Sequence, residues 1–238
     1  MVNDVNKLTE LQNESMWNEK WDSIFDQYQA DLRHGWYVAA FLNSGIETVL
    51  EIGAGSFRDI AFIARLGKKI GAFDFSLKAC NLAQQKHPNL AKFFWCDDAF
   101  ATKLQNKSFD ASFSNGFIGC FDDEQIHSLI KEQLRVTKKQ MIITLHNGHN
   151  QGFKNYFIEK KNADNLYEVR FFTLDEINII LDKFSFCYKI FPVGKAYKEL
   201  EDTFIKNNAS LAEIKECILS QKMQYLESSE RLMVVIDI

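Results

Sequence analysis

The chain has 238 residues, 46% of them hydrophobic and 25% charged, enough to bury one α/β core with or without a small cap. Its formal net charge is −4 with acids and bases interspersed, which argues against DNA or long RNA as a partner and leaves a short nucleotide or another small molecule open. The five cysteines, at 80, 96, 120, 187 and 217, are spaced neither as a zinc site nor as a disulfide framework, and read as small buried hydrophobes with no bound metal. The N-terminal stretch MVNDVNKLTELQNE carries no apolar core of signal-peptide length, and no run approaches membrane-spanning length, so the expectation is a cytoplasmic protein off the membrane.

Residues from about 14 to 42 read as a helical cap. Trp17, Trp21, Ile24, Phe25, Tyr28 and Leu32 fall on one face, His34-Gly35 breaks the pattern, and Gly45 ends it. An aromatic stripe of this kind is core, or it is a lid that sets Trp17, Trp21 and Tyr28 against a substrate.

The next hundred residues alternate strand and helix. Thr48 to Ile52 is a strand that breaks into Gly53-Ala54-Gly55 before a helix from about Phe57 to Leu66. Gly53 permits the tight turn, Gly55 admits close approach of a ligand, and the helix start offers unpaired N–H groups to an anionic group. Strands at Lys69–Asp74, Lys92–Cys96, Asp110–Asn115 and Gln140–His146 follow, separated by helices from Ser76 to about Lys86 and from Asp122 to Lys138-Lys139. This rhythm predicts a doubly wound, mostly parallel sheet with helices on both faces. Chemistry in such a sheet gathers at the carboxyl ends of the strands, which selects Glu51, Gly53, Asp74, Asp97, Asp98, Asn115, His146 and Asn147.

After residue 146 the pattern changes. Residues 147–170 are polar and aromatic with no steady period, Thr173–Glu176 and Ser210–Glu213 are capping boxes, Phe186–Phe191 is a strand, and the terminal RLMVVIDI is a strand too apolar for an exposed edge. The chain thus reads as one domain: a cap over 1–45, a ligand-binding core over 46–146, substrate-side insertions at 147–170 and 193–229, and completion of the sheet by 171–192 and 230–238.

A dinucleotide fingerprint places a third glycine where Arg58 stands, so the NAD(P)-dependent oxidoreductase reading is the weaker alternative. Glu51-Ile52-Gly53-Ala54-Gly55-Ser56-Phe57 instead resembles the first motif of the class I S-adenosylmethionine-dependent methyltransferases, with Phe57 replacing that family's third glycine. Further matches fall in order: Asp74 stands 23 residues after Glu51, then come Asp98-Ala99, Ser114-Asn115-Gly116-Phe117, and Arg170 to Glu176 ahead of the sixth strand.

The resemblance implies a seven-stranded fold and S-adenosylmethionine as cofactor. It implies cofactor contacts at Glu51, Gly53, Ala54, Gly55, Asp74, Phe75, Asp97, Asp98, Ala99, Ser114, Asn115 and Gly116. Asp74 would hold both ribose hydroxyls, and Asp98 with the Ala99 N–H would read the adenine edge. His146 and His149, at the exit of the fifth strand, are the candidate bases, and Trp17, Trp21, Tyr28, Asn147 and Arg170 the candidate substrate contacts. His34, His87 and His127 read as surface or helix-edge residues, and Asp110 as structural. The expected activity is methyl transfer to an O or N atom of a small molecule, with a non-catalytic cofactor-binding subunit as the alternative of another class.

Overall fold

A computed structural model describes residues 13–29, 33–194, 207–221 and 223–238. Eight strands among them form one sheet: β1 Thr48–Ile52, β2 Lys69–Asp74, β3 Phe94–Cys96, β4 Phe109–Asn115, β5 Thr137–Asn147, β6 Phe171–Phe172, β7 Cys187–Val193 and β8 Arg231–Asp237. The order across the sheet is β3-β2-β1-β4-β5-β8-β7, with the two-residue β6 pairing the end of β5. Pairing from β3 to β5 is parallel, whereas β8 runs antiparallel between β5 and β7. The terminal apolar strand is therefore an interior strand, which is why it carries no polar alternation. The helices are α1 Glu14–Tyr28, α2 Arg33–Phe41, α3 Arg58–Arg65, α4 Leu77–Lys86, α5 Asp123–Val136, α6 Gln151–Lys160, α7 Leu174–Leu181 and α8 Leu211–Gln221.

Period-two alternation assigns side chains to the two faces. Ile142, Met233 and Val235 join the core beneath α1 to α4 and α8. Their neighbours Met141, Ile143, Leu232, Val234 and Ile236 join the core beneath α5 and α7. Both predicted capping boxes form: Thr173 with Glu176 opens α7, and Ser210 with Glu213 precedes α8. Asp110 is structural, its Oδ2 accepting the N–H groups of Glu47 and Thr48 at 3.0 and 3.1 Å.

Four local expectations change. The break in the cap lies between α1 and α2 rather than at His34-Gly35, while Leu32 is outside the described residues. Gly35 stands inside α2 because its N–H donates to Asp59 at 3.0 Å and a Cβ there would crowd the Phe62 ring. Lys138 and Lys139 belong to β5, not to the end of α5, and the third strand begins at Phe94 after a 3₁₀ turn over Ala91–Phe93. Residues 147–170 contain a helix, α6, capped by the Asn150 side chain at Phe153 N–H; it buries none of its residues, so no apolar period announced it. The predicted insertion over 193–229 is described at 193–194, 207–221 and 223–229 only; residues 195–206 and 222 lie outside the described residues.

Candidate active site

Because β1 sends its chain to β2 on one side while β4 lies on the other, the carboxyl ends of β1, β2 and β4 diverge and leave a crevice. A cavity of about 810 Å³ fills this crevice and continues past the end of β5. Its floor is the glycine turn. Gly53 and Gly55 both sit at positive φ, 64° and 51°, and a Cβ on either would collide with an aromatic ring, Phe117 over Gly53 and Trp21 over Gly55.

The turn is fastened by acids. Asp74, at the end of β2, accepts the Gly55 N–H with Oδ2 and the Ser76 N–H with Oδ1, both at 2.9 Å. Burial pushes its carboxyl up to about 6, against the backbone N–H bonds that favour the ionised form. Glu51, on β1, is buried and accepts the Ile60 N–H at 3.1 Å. Burial, reinforced by the neighbouring Asp59 carboxylate, raises it well above the usual carboxylate range. Asp59 itself ties three elements together, accepting from Gly35 of α2 and from the Asn115 side chain at the end of β4, both at 3.0 Å. Asp97 and Asp98 line the far wall below β3. Asp97 is spent on its own loop, accepting from Asp98 N–H at 3.0 Å and Lys103 N–H at 3.2 Å, while Asp98 turns one oxygen to the Phe100 N–H at 2.9 Å.

Helix α1 closes the roof. Trp17, Trp21 and Tyr28 all face the cavity, with the two indoles stacked 5.9 Å apart and Tyr28 edge-on to Trp21. Polar clasps hold the helix down. Asn18 Oδ1 accepts from Ser76 Oγ and Lys78 N–H at the start of α4, Lys20 pairs with Asp164 at 2.5 Å, and Gln29 donates to the Ser56 carbonyl at 2.9 Å.

The other end of the cavity is aromatic. His146 is buried at the end of β5, with Phe153, Phe157 and Phe171 rings 6.3, 5.4 and 5.4 Å from its own. Burial, with the Arg231 guanidinium and His34 nearby, holds its pKa well below the ordinary imidazole value, so the ring is neutral at physiological pH. Its Nδ1 has no hydrogen-bond partner among the described residues. Tyr28, His34, Phe157, Leu166, Tyr167, Val169 and Arg231 complete this end.

Most of the sequence-selected residues thus meet in one space: Trp17, Trp21, Tyr28, Glu51, Gly53, Ala54, Gly55, Asp74, Phe75, Asp97, Asp98, Ala99, Asn115, Gly116 and His146 line it. Four do not line it. Ser114 is buried within β4. Asn147, fully buried, donates to the Leu226 and Ser229 carbonyls and accepts from His149 N–H, clamping the strand exit to the C-terminal segment. His149 Nε2 accepts the Leu174 N–H at 3.0 Å, filling an otherwise open donor at the start of α7. Arg170 is held outside by Asp123 and Glu176 and lies over the Phe172 ring. His149→Ala should therefore lower stability by about 1 kcal/mol through the lost cap and leave turnover unchanged; urea unfolding and a rate measurement on the same variant check both halves.

The sequence missed His34, Asp59, Phe157, Tyr167 and Arg231. Arg231 was hidden because only the antiparallel register of β8 sets it opposite His146.

The cavity thus lies at a topological switch point of the sheet. Residues 49–140 match the family described as "Methyltransferase domain". Among solved structures the chain resembles a SAM-dependent methyltransferase from Thermotoga maritima at 20% identity and a TM-score of 0.60, over 94% of this chain and 96% of that one. It also resembles a protein described as "the putative methyltransferase" in its complex with the Trm112 methyltransferase activator of Haloferax volcanii, at 14% identity and a TM-score of 0.63, over 93% and 96%. A third is the geranyl diphosphate C-methyltransferase of Streptomyces coelicolor, complexed with S-adenosyl-L-homocysteine, at 15% identity and a TM-score of 0.54, over 86% and 76%. These likenesses establish the fold, and no curated protein matches the sequence. Residues 49–140 thus match a methyltransferase domain, the described chain has the fold of S-adenosylmethionine-dependent methyltransferases, and S-adenosylmethionine is the cofactor such a domain takes.

The donor set fits that cofactor. The two positive-φ glycines let the Phe117 and Trp21 rings close down on the turn, Asp74 ends β2 where ribose hydroxyls need acceptors, and the carboxylates of this half of the cavity suit a cationic ligand. Among the described residues there is no group of His, Cys, Asp or Glu able to hold a metal, and no helix long and apolar enough to cross a membrane.

Proposed function

We propose that this protein transfers a methyl group to an O or N atom of a small molecule by in-line displacement, working as a single domain. The observation that carries this reading is the continuity of the cavity: one space joins the glycine turn and Asp74 to the aromatic end at His146. Bound S-adenosylmethionine supplies an electrophilic methyl carbon. The protein's work is then mainly alignment, and orientation with desolvation can remove roughly 7–11 kcal/mol of such a barrier.

In this reading Asp74 accepts from the ribose hydroxyls while keeping its hold on Gly55 and Ser76. Asp98 reads the adenine edge, since Asp97 is committed to the loop. Glu51, Asn115 and Gly116 shape the amino-acid end. His146 receives a proton when the acceptor releases one, and its neutrality at rest leaves the imidazole ready to do so. The Thermotoga maritima neighbour is described as "possible histamine N-methyltransferase", which keeps N beside O as the acceptor atom.

Thermal unfolding with added ligand tests the reading. At a hundredfold excess over Kd, S-adenosylmethionine or S-adenosylhomocysteine should add about 2.7 kcal/mol, roughly 5–11 °C in Tm for a chain of this size, and NAD should add nothing. Stabilisation by NAD alone would overturn it. Tight binding of S-adenosylmethionine with no methyl transfer to any compound of a cell extract would mark a non-catalytic subunit.

A further inference from the structure

The end of the cavity around His146 has a composition of its own. Its walls are the rings of Tyr28, Phe157 and Tyr167 with the imidazoles of His34 and His146, and its apolar lining is Leu166 and Val169. Phe153, Phe157 and Phe171 form a mutually edge-on cluster, centroids 4.8 to 5.7 Å apart, packed against the His146 ring. The acids Glu51, Asp59, Asp74, Asp97 and Asp98 stand at the cofactor half, below the strands β1 to β3 or on the start of α3, and Glu14 at the start of α1 faces Cys96 on that same side. At the aromatic end Arg231 stands opposite His146 in the β5–β8 register, its guanidinium 5.4 Å from the centre of the Phe153 ring, while Arg58 lies 5.5 Å from the centre of the Tyr28 ring and the Asp164 carboxylate acts on Tyr28 and Tyr167.

These features sort acceptors by chemistry. Flat aromatic walls favour a planar ring through stacked and edge contacts. A positive potential beside a neutral imidazole disfavours an ammonium and favours an oxygen on which negative charge develops. The orphaned Nδ1 of His146 is a buried polar atom that a polar group of a ligand would satisfy. We infer that the methyl acceptor is a planar phenol, seated against Tyr28 and the Phe157–Tyr167 ring pair with its hydroxyl at His146. This rests on the methyltransferase reading above and names its substrate class. As the new O–CH₃ bond forms, the S–CH₃ bond breaks, sulfur keeps the electron pair, and the phenolic proton passes to the His146 imidazole. The products are an aryl methyl ether, S-adenosylhomocysteine and an imidazolium that discharges to solvent.

The test is calorimetric binding to the protein saturated with S-adenosylhomocysteine, so that it does not depend on turnover. The probes are mono- and bicyclic phenols (catechol, 4-nitrophenol, 2-naphthol), each against an amine of the same frame, with histamine and cyclohexanol as further controls. Phenols should bind saturably and at least tenfold more tightly than the matched amines. His146→Gln and Phe157→Ala should each weaken phenol binding tenfold or more while S-adenosylhomocysteine affinity stays within twofold. Phe157 comes from α6, which buries none of its residues, so this variant keeps the test open if the His146 variant misfolds. Equal or tighter binding of amines, or phenol binding unmoved by both variants, would overturn the phenol assignment and leave the methyltransferase reading standing. So would failure of every phenol to bind a protein that takes S-adenosylhomocysteine. Failure of S-adenosylhomocysteine itself to bind would instead overturn the reading beneath.

Discussion

Asp74→Ala should weaken S-adenosylmethionine binding at least 100-fold, the largest loss expected from one substitution in the cofactor half of the cavity. Two effects add. In the proposed binding mode the variant removes both acceptors for the ribose hydroxyls, and hydrogen bonds to a charged group are each worth about 1.5–3 kcal/mol. It also frees the N–H groups of Gly55 and Ser76, so the turn that receives the ligand loses its anchor. Asp74→Asn keeps one acceptor but points an amide N–H at the other backbone donor, and should fall between wild type and alanine. Titration calorimetry of the three proteins checks the order; an Asp74→Ala protein binding within threefold of wild type would remove Asp74 from the site.

The same residue sets a pH dependence with a definite sign. The Asp74 pKa is raised from 3.8 to about 6 by burial. The unfolded chain therefore releases this proton near pH 4 and the folded one near pH 6. Between those values the native state binds more protons, so the stability contributed by Asp74 is full below the unfolded pKa and is lost as pH rises through about 6. Cofactor binding runs the other way, because ribose hydroxyls and a cationic ligand favour the carboxylate. Affinity for S-adenosylmethionine should rise about tenfold per pH unit below 6 and level off above it. Calorimetry in two buffers of different ionisation enthalpy should show close to one proton released per ligand near pH 5, and none from Asp74 by pH 8.

How much of this was legible in the sequence depended on how local the cause was. The strands, the capping boxes at Thr173 and Ser210, and the acids at strand ends are set by neighbours within a few residues, and the linear pattern carried them. The aromatic end of the cavity is set by distant pairing. His34 looked like a helix-edge histidine because nothing nearby in sequence shows that α2 lies against α3, where Asp59 takes the Gly35 N–H. Arg231 sits beside His146 only through the β5–β8 register across more than eighty residues of chain. His149 had the right position after β5, but the fold consumed its ring nitrogen as a cap for α7. The helix α6 shows the converse: with no buried face there was no period to read.

Phe57 is where sequence expectation and structure meet most sharply, and it yields the largest expected change in stability. It replaces the glycine of the family motif, and its backbone keeps the conformation that glycine serves, with φ at 55°. A bulky residue there is strained by about 1–2 kcal/mol. What outweighs the strain is burial: the ring is fully enclosed beneath α3, 4.9 Å from the Phe94 ring. Phe57→Ala keeps the strain and loses the packing, so unfolding free energy should drop by about 3–5 kcal/mol, roughly 6–20 °C in Tm. Phe57→Gly loses the same packing but relieves the backbone. In ordinary structure glycine is the less stable of the pair by about 0.5–1 kcal/mol; at this position the order should invert or at least vanish. Urea unfolding of the three proteins decides it. If alanine were the more stable replacement by the usual margin, Phe57 would carry no left-handed strain, and the ring would be ordinary packing rather than the compensation for a missing glycine.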